Sequence, residues 1–379
     1  MEKFLKSLLI IICAIQIGCS GTSQNENVLD YSTLPDLEVD IIVEIEESED
    51  FLPGRLRDLI LAQDGSIIIS DWGNMNIVHF DSDGSFKSVI AERGQGPGEL
   101  KSPFSLIDSK RDTLLVNYRG MTYQTDVYIR DEIGNTFFYE HSLTSEIENN
   151  RLIFIEESAP GFGYFARFED LNHSRTRERF DPPAYRSETI GIVGMSGEVL
   201  IDSLHLLQTP NTVFIEREGG AITPLGAPPF LSRDHLKSLG DDKYIIAKSG
   251  EGKIQVYDQN HDIQNEIILD VKERSVTKND LDHQLRNIPE QFQGELRERA
   301  SSIKPDFTDV WVSNEYFLLQ TDEGEKGIEM VLLTEEGEPI GKFTLSHYDE
   351  IQVFKNHRIY TLHKDQEYGD SIRVYEVNI

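Results

Sequence analysis

The chain has 379 residues, a formal net charge of −31 and 38 % hydrophobic residues. That apolar content is enough for a large core, so global disorder is excluded despite the charge. The acidic balance excludes nucleic acid as a partner and leaves cations, basic partners or plain solubility as its meaning.

At the N-terminus, Lys3 and Lys6 precede an apolar run, Leu8 to Ile15, of signal-peptide length and too short to span a bilayer. It ends at Gln16-Ile17-Gly18-Cys19-Ser20, which resembles the bacterial lipobox, where a small residue precedes a cysteine that is acylated. Cys13 and Cys19 are the only cysteines. Exported proteins use cysteines in pairs, so a lone one opening the mature chain reads as a lipid site. An ordinary leader with an incidental cysteine is the plainer alternative. The expectation is a signal peptide over 1–18, lipidation at Cys19 and a flexible tether over 19–36, rich in Ser, Gly, Thr, Gln and Asn. Loss of Glu2, Lys3 and Lys6 makes the mature chain one charge more negative. Ser20 after the cysteine resembles the outer-membrane lipoproteins of Gram-negative bacteria, so the membrane is the partner reached through the anchor.

Along the body, period-2 hydrophobic patterns recur between Gly/Asp/Asn turns. Ile67-Ile68-Ile69, Ile77 to Phe80 and Phe86 to Ile90 read as successive strands, with Asp81-Ser82-Asp83-Gly84 a turn in which Gly84 takes positive φ. The unit returns 177 residues later without a gap: Ile67 matches Tyr244, Ile77 matches Ile254, Asp81 matches Asp258 and Phe86 matches Ile263. Weaker copies run through Ile190, Val193, Gly197 and Val199, and through Met330, Leu333 and Gly337. Leu114-Leu115-Val116 and Val127-Tyr128-Ile129, with a turn at Gly134-Asn135, give another, and Ile359-Tyr360 with Ile372 to Tyr375 the last.

Six units follow, at about 55–91, 103–143, 151–206, 213–269, 305–345 and 350–379. Leu56 to Leu61, Phe104 to Ile107 and Val310-Trp311-Val312 are candidates for the innermost strands. The body, 37–379, gives about 52 residues per unit once about 30 helical residues are set aside, close to propeller repeats. The fold class is all-β: a six-bladed β-propeller closed by an N-terminal strand, with a short helical insertion between blades four and five. The sixth unit is one strand short, and the alternating stretch 37–45 completes it, with Val39, Ile41, Val43 and Ile45 on one face. A separate N-terminal hairpin is the alternative. The insertion lies at about 277–303: Thr277 caps a helix with Asp280 three residues on, Leu281, Leu285 and Ile288 keep helical spacing, and Pro289 opens a second helix carrying Phe292 and Leu296.

Gly65 to Asp71, Ile77 to Asp81 and Arg93-Gly94-Gln95-Gly96-Pro97-Gly98-Glu99-Leu100 together resemble the six-bladed, NHL-like β-propeller lipoproteins of Bacteroidetes-type bacteria. The resemblance implies the fold and an inter-blade loop at Arg93, Gly96, Pro97, Gly98 and Glu99, in which Arg93 and Glu99 are placed to pair. It implies no defined activity. Propeller ligands bind at one channel mouth, where the sequence places Asp71, Trp72, Asn74, Asn117, Tyr118, Arg119, Lys248, His363 and Lys364. This polar and aromatic set suits a small polar ligand or a protein partner. Asp71, Asn74 and Asn117 offer oxygens of the kind Ca²⁺ takes, although Asp and Asn in turns are commonly turn formers. No nucleophile elbow, phosphate loop or zinc motif is present. A lone His79 in a strand reads as structural. The leading reading is a non-enzymatic envelope lipoprotein that binds a ligand or protein. A metal-dependent, lactonase-like hydrolase or lyase and a structural component of an envelope complex are the rivals.

Overall fold

A computed structural model of the chain describes residues 28–101, 104–107, 113–118, 124–131, 136–144, 151–161, 163–170, 183–216, 222–240, 242–365, 367 and 369–379. Their strands form six four-stranded antiparallel sheets. Blade one holds β2–β5 (Leu56–Leu61, Ile67–Asp71, Asn76–Phe80, Phe86–Glu92), and blade two β6–β9 (Phe104–Ile107, Thr113–Tyr118, Gln124–Arg130, Phe137–Thr144). Blade three holds β10–β13 (Arg151–Ala159, Gly163–Asp170, Tyr185–Gly194, Val199–Pro210). After a hairpin, β14 (Val213–Glu216) with β15 (Ile222–Gly226), blade four holds β16–β19 (Asp234–Leu239, Lys243–Lys248, Lys253–Asp258, Ile263–Ile268). Blade five holds β20–β23 (Asp309–Val312, Tyr316–Gly324, Gly327–Thr334, Pro339–Leu345). Blade six combines β24–β26 (Asp349–Lys355, Arg358–Asp365, Gly369–Val377) with β1 (Val39–Ile45), in the order β1-β26-β25-β24.

The repeated triple of apolar residues has a direct physical reason. Each blade is buried on both faces, so successive side chains of its middle strands enter different cores. Ile67 and Ile69 pack toward blade six with Tyr360 and Ile372, while Ile68 packs toward blade two with Phe104 and Leu114. In blade four, Tyr244 and Ile246 face blade three, and Ile245 and Ala247 face blade five. The core is therefore six layers between neighbouring blades rather than one centre.

The N-terminal strand closes the ring as expected: β1 runs antiparallel to β26, with Val39 opposite Val377 and Ile45 opposite Ile372. The expected single face of β1 is not kept. The register shifts between Ile41 and Val43, leaving Ile42 as an extra residue. Such a bulge turns the strand over. Val39 packs between blades five and six, Val43 and Ile45 pack between six and one, and Ile41 is exposed.

Two further boundaries move. The fourth unit, expected from 213, starts its blade at Asp234, because β14 and β15 pair with each other in a separate hairpin. The flexible tether expected over 19–36 is docked where it is described. Leu29 N donates to Asp270 O (2.6 Å) and Leu29 O accepts from Lys272 N (3.0 Å). Tyr31 is buried between blades four and five, with the Arg274 guanidinium 5.2 Å from its ring centre. Leu37 N then donates to Lys342 O (2.7 Å) on the outer strand of blade five. Cys19, Arg119 and the Gly134-Asn135 turn lie outside the described residues.

The insertion forms α1 (Lys278–Gln284) and α2 (Glu290–Arg299). Thr277 and Asp280 make a reciprocal capping box on α1. Leu285 and Leu296 are buried against Val213 of the hairpin, with Ile288 and Leu225 beside them. Lys304 Nζ ties Asp280 (2.9 Å) to Asp322 (2.7 Å) of β21, fixing the start of α1 to blade five. Burial opposes ionisation of Asp280, but Lys304 and the two Thr277 hydrogen bonds together outweigh it and hold the carboxyl below its usual range. The helices are thus a packed bridge across the fourth-to-fifth crossover.

Candidate functional site

In a meander of this order, the turns between second and third strands and the inter-blade crossovers lie at one end of the channel. The residues expected there from sequence are mostly engaged in holding that end together. Asp71 is fully buried and both its oxygens are occupied. Oδ1 accepts from the backbone of Arg55 (2.8 Å), Gly73 (2.8 Å) and Asn74 (3.1 Å), and Oδ2 from Gly54 N (2.8 Å) and Asn74 Nδ2 (2.8 Å). Asn74 Nδ2 also reaches Leu52 O (2.7 Å). Trp72 donates its indole N–H to Phe104 O (2.7 Å), tying blade one to blade two. Asn117 ties blade two to blade three through Ile155 O (2.7 Å) and accepts from Thr125 Oγ1. Tyr118 is buried, and burial with the nearby Asp126 pushes its phenol far up. Lys248 lies 3.4 Å from Glu251. The three candidate Ca²⁺ donors therefore serve the fold: the Asp71 clasp is saturated and Asn117 works between different blades. Among the described residues, no group of three or more His, Cys, Asp or Glu side chains is placed to hold a metal ion.

The glycine-rich loop is likewise a built crossover. Glu99 Oε2 accepts from the backbone N–H of Gln95 (2.6 Å) and Gly96 (2.7 Å), and these bonds hold its carboxyl below the usual range. The expected Arg93–Glu99 pair is not made, because Glu99 turns inward to these amides. Tyr128 donates to Gly98 O (2.9 Å), fixing the loop on blade two, and Pro97 sits at the turn. His79, read as structural, is buried with Nε2 2.7 Å from Ser66 Oγ.

A cleft of about 770 Å³ opens between blades five and six and the turn joining the two helices. Asp309 and Asp349, the first residues of inner strands β20 and β24, stand at its edge, and Trp311 forms part of its wall. Gln320 and Glu323 come from β21, Lys364 from β25, and His347 and Tyr348 from the crossover into blade six. Arg286, in the turn after α1, lies 3.4 Å from Glu323. Lys364 is ion-paired with Glu350. Burial works against ionisation of Asp309, but His235, with Nδ1 3.3 Å away, together with Lys237 and the Val310 N–H outweighs it and holds the carboxyl well below its usual range. Behind the cleft, buried Asp349 receives His363 Nδ1 (2.8 Å) on one oxygen and Tyr375 OH (2.8 Å) on the other. Burial and then Asp349 push the Tyr375 phenol upward.

Of the sequence-expected mouth residues, Lys364 lines this cleft and His363 stands behind it as a support. Sequence reasoning missed Trp311, Gln320, Glu323, Arg286, His347 and Tyr348 as site residues. Trp311 carried a signal as an inner-strand candidate. Arg286 carried none, because its approach to Glu323 depends on how the helices dock.

Residues 23–157 match a family model described as six-bladed beta-propeller. No curated protein matches the sequence. A candidate exported protein of Bacteroides fragilis superposes at 11 % identity, covering 93 % of this chain and 100 % of its own, with a TM-score of 0.49. The PQQ-bound aldose sugar dehydrogenase of Streptomyces coelicolor gives 11 % identity, 91 % and 100 % coverage and a TM-score of 0.44. Virginiamycin B lyase of Staphylococcus aureus gives 12 %, 90 % and 100 %, and 0.44. At such identities and TM-scores, these likenesses say nothing about substrate or site.

Proposed function

We propose that the chain is an exported cell-envelope lipoprotein of the Bacteroidetes-type propeller class it resembles, anchored through Cys19, whose propeller binds a ligand or protein partner at one channel mouth. The observation that carries the binding reading is the cleft of about 770 Å³ between blades five and six. Its size is that of a small-molecule or peptide site. Its walls come from rigid strands and from helices pinned by ion pairs, which suits recognition by a pre-formed surface. Export and anchoring are supported by the charged, apolar and cysteine-ended N-terminal pattern.

Two measurements test the reading. Cys19→Ala should move a folded protein into the soluble fraction and remove the acyl mass, since each buried CH₂ adds about 0.8 kcal/mol to membrane affinity. A variant that stays in the membrane pellet, with no lipid on the wild type, overturns the anchor. For the cleft, native mass spectrometry of the full chain released in mild detergent should show a bound species that Tyr348→Ala loses. A species carried equally by both proteins places binding elsewhere.

A further inference from the structure

We infer that the cleft between blades five and six takes a basic peptide segment, seating a guanidinium or ammonium group among its carboxylates and a main-chain carbonyl on Trp311. This deepens, and rests on, the reading of the mouth as a binding site. Five carboxylates open on the cleft, Asp309, Glu323, Glu350, Asp365 and Glu367, with buried Asp349 behind them, against two bases, Arg286 and Lys364. Both bases are already held by lining carboxylates, Arg286 by Glu323 and Lys364 by Glu350. An anionic ligand would thus enter a site of its own sign, whereas a cation is attracted there and steered by the chain's overall negative field.

The aromatic groups add a second, independent indication. Tyr348 is 40 % exposed and its ring lies beside His347, with centroids 4.0 Å apart. It is propped edge-on by the buried His363 ring at 5.8 Å. An exposed phenol face among carboxylates is a platform for a cation. Trp311 is nine-tenths buried in the cleft wall. The hydrogen bonds of the described residues leave its indole N–H without a protein acceptor, unlike that of Trp72. Solvent reaches that N–H, so an acceptor on the occupant can take the place of water there. A peptide carbonyl supplies one, whereas a simple polyamine has none. That added bond favours a basic peptide over a bare polycation.

The test is calorimetric titration of the full chain with capped tri-arginine peptide, spermidine and maltotriose, repeated with added salt. Trp72→Phe leaves Trp311 as the lone tryptophan, so its fluorescence reports occupancy of the cleft. Tri-arginine should bind more tightly than spermidine, shift Trp311 emission and weaken as salt rises. Tyr348→Ala should weaken it about three- to tenfold, and Glu367→Gln should weaken it as well. Glu335→Gln with Glu336→Gln, in the turn at the opposite end of blade five, should leave it unchanged. Equal weakening by that distant pair would mean diffuse charge attraction and overturn the proposal. Spermidine binding as well as tri-arginine would also overturn it. Maltotriose binding in a Tyr348-dependent way, with both cations silent, would sink the basic-peptide class and leave the mouth reading standing. Silence from both cations and maltotriose sinks this proposal, and the mouth reading then rests on the mass-spectrometric comparison.

Discussion

Charged side chains buried near the crossovers set how single residues act in this propeller. Asp71 is buried yet satisfied by five donors, so it holds the second-to-third-strand turn of blade one in place of a bound ion. Asp306, between the helical insertion and β20, is the opposite case. Burial pushes its carboxyl up to about 6; Arg274 opposes the rise and Asp270 adds to it. The raised value means that the folded protein keeps this proton after the unfolded chain has lost it. The associated stability is full below about pH 4, where both forms are protonated, and is lost as pH climbs through about 6. Asp306→Asn should therefore flatten the dependence of melting temperature on pH across that window and raise it at neutral pH. Parallel curves for wild type and variant would show that Asp306 titrates like an exposed carboxyl.

At the scale of the element, the turn between third and fourth strands shows why the repeat keeps a glycine. Gly84, Gly197 and Gly337 occupy it in blades one, three and five, with φ of 89°, 90° and 88°. A Cβ on Gly84 would lie 2.9 Å from Val43 and 3.0 Å from Ile45 of the previous blade's outer strand, and one on Gly337 would lie 2.3 Å from Ile267. The position serves both turn conformation and blade stacking. In blade four the 177-residue offset places His261 there, with φ of 68°. Its Nδ1 lies 3.3 Å from Tyr244 OH, a local partner for a residue in a costly conformation. Gly84→Ala should lower stability by about 1–3 kcal/mol, from left-handed backbone and crowding together. Gly161, at φ of 82° with nothing within 4 Å of an added Cβ, separates the two. Gly161→Ala should cost only the backbone part, read as a smaller shift in urea midpoint at constant slope. Equal shifts would remove the stacking role.

For the molecule as a whole, the decisive feature is that the ring is closed by its N-terminal segment twice. β1 pairs with β26, and residues 29–37 strap across the outer side of blades four and five. A chain beginning at Phe51 loses both and uncovers the β26 edge, an invitation to aggregation. It also loses the packing of Val39, Val43 and Ile45, each worth roughly 1.5–3 kcal/mol when buried, against a typical stability of about 5–15 kcal/mol. It should aggregate or melt far lower. A chain beginning at Val39 keeps β1 but lacks Tyr31, and should melt between that chain and one beginning at Val28, which should match the full mature protein. Amides of Val43 and Val374 should be protected together in hydrogen exchange. If the chain from Phe51 is monomeric and fully stable, closure does not hold the ring.

What the sequence determined by itself was whatever depends on local period. The doubly buried triple Ile67-Ile68-Ile69, the glycine at the tight turns of blades one, three and five, the Thr277 cap and the alternation of residues 37–45 are each written within a few positions, and together they give six blades, closure and the insertion. Tertiary structure decided everything that depends on distant approach. The bulge at Ile42 sends Val39 and Val43 into different cores, and nothing in an alternating stretch marks which residue will be extra. Val213 leaves blade four because α1 and α2 offer its hairpin a separate core. Tyr31 abandons a polar tether because a slot between two blades and the Arg274 guanidinium await it. The cleft is the strongest case. Trp311, Arg286, Tyr348 and Lys364 come from different elements of two blades and an insertion, so no spacing along the chain records that they meet. Asp71 read as a candidate ligand because a carboxylate in a turn looks the same in sequence whether it faces solvent or, as here, five donors of its own fold.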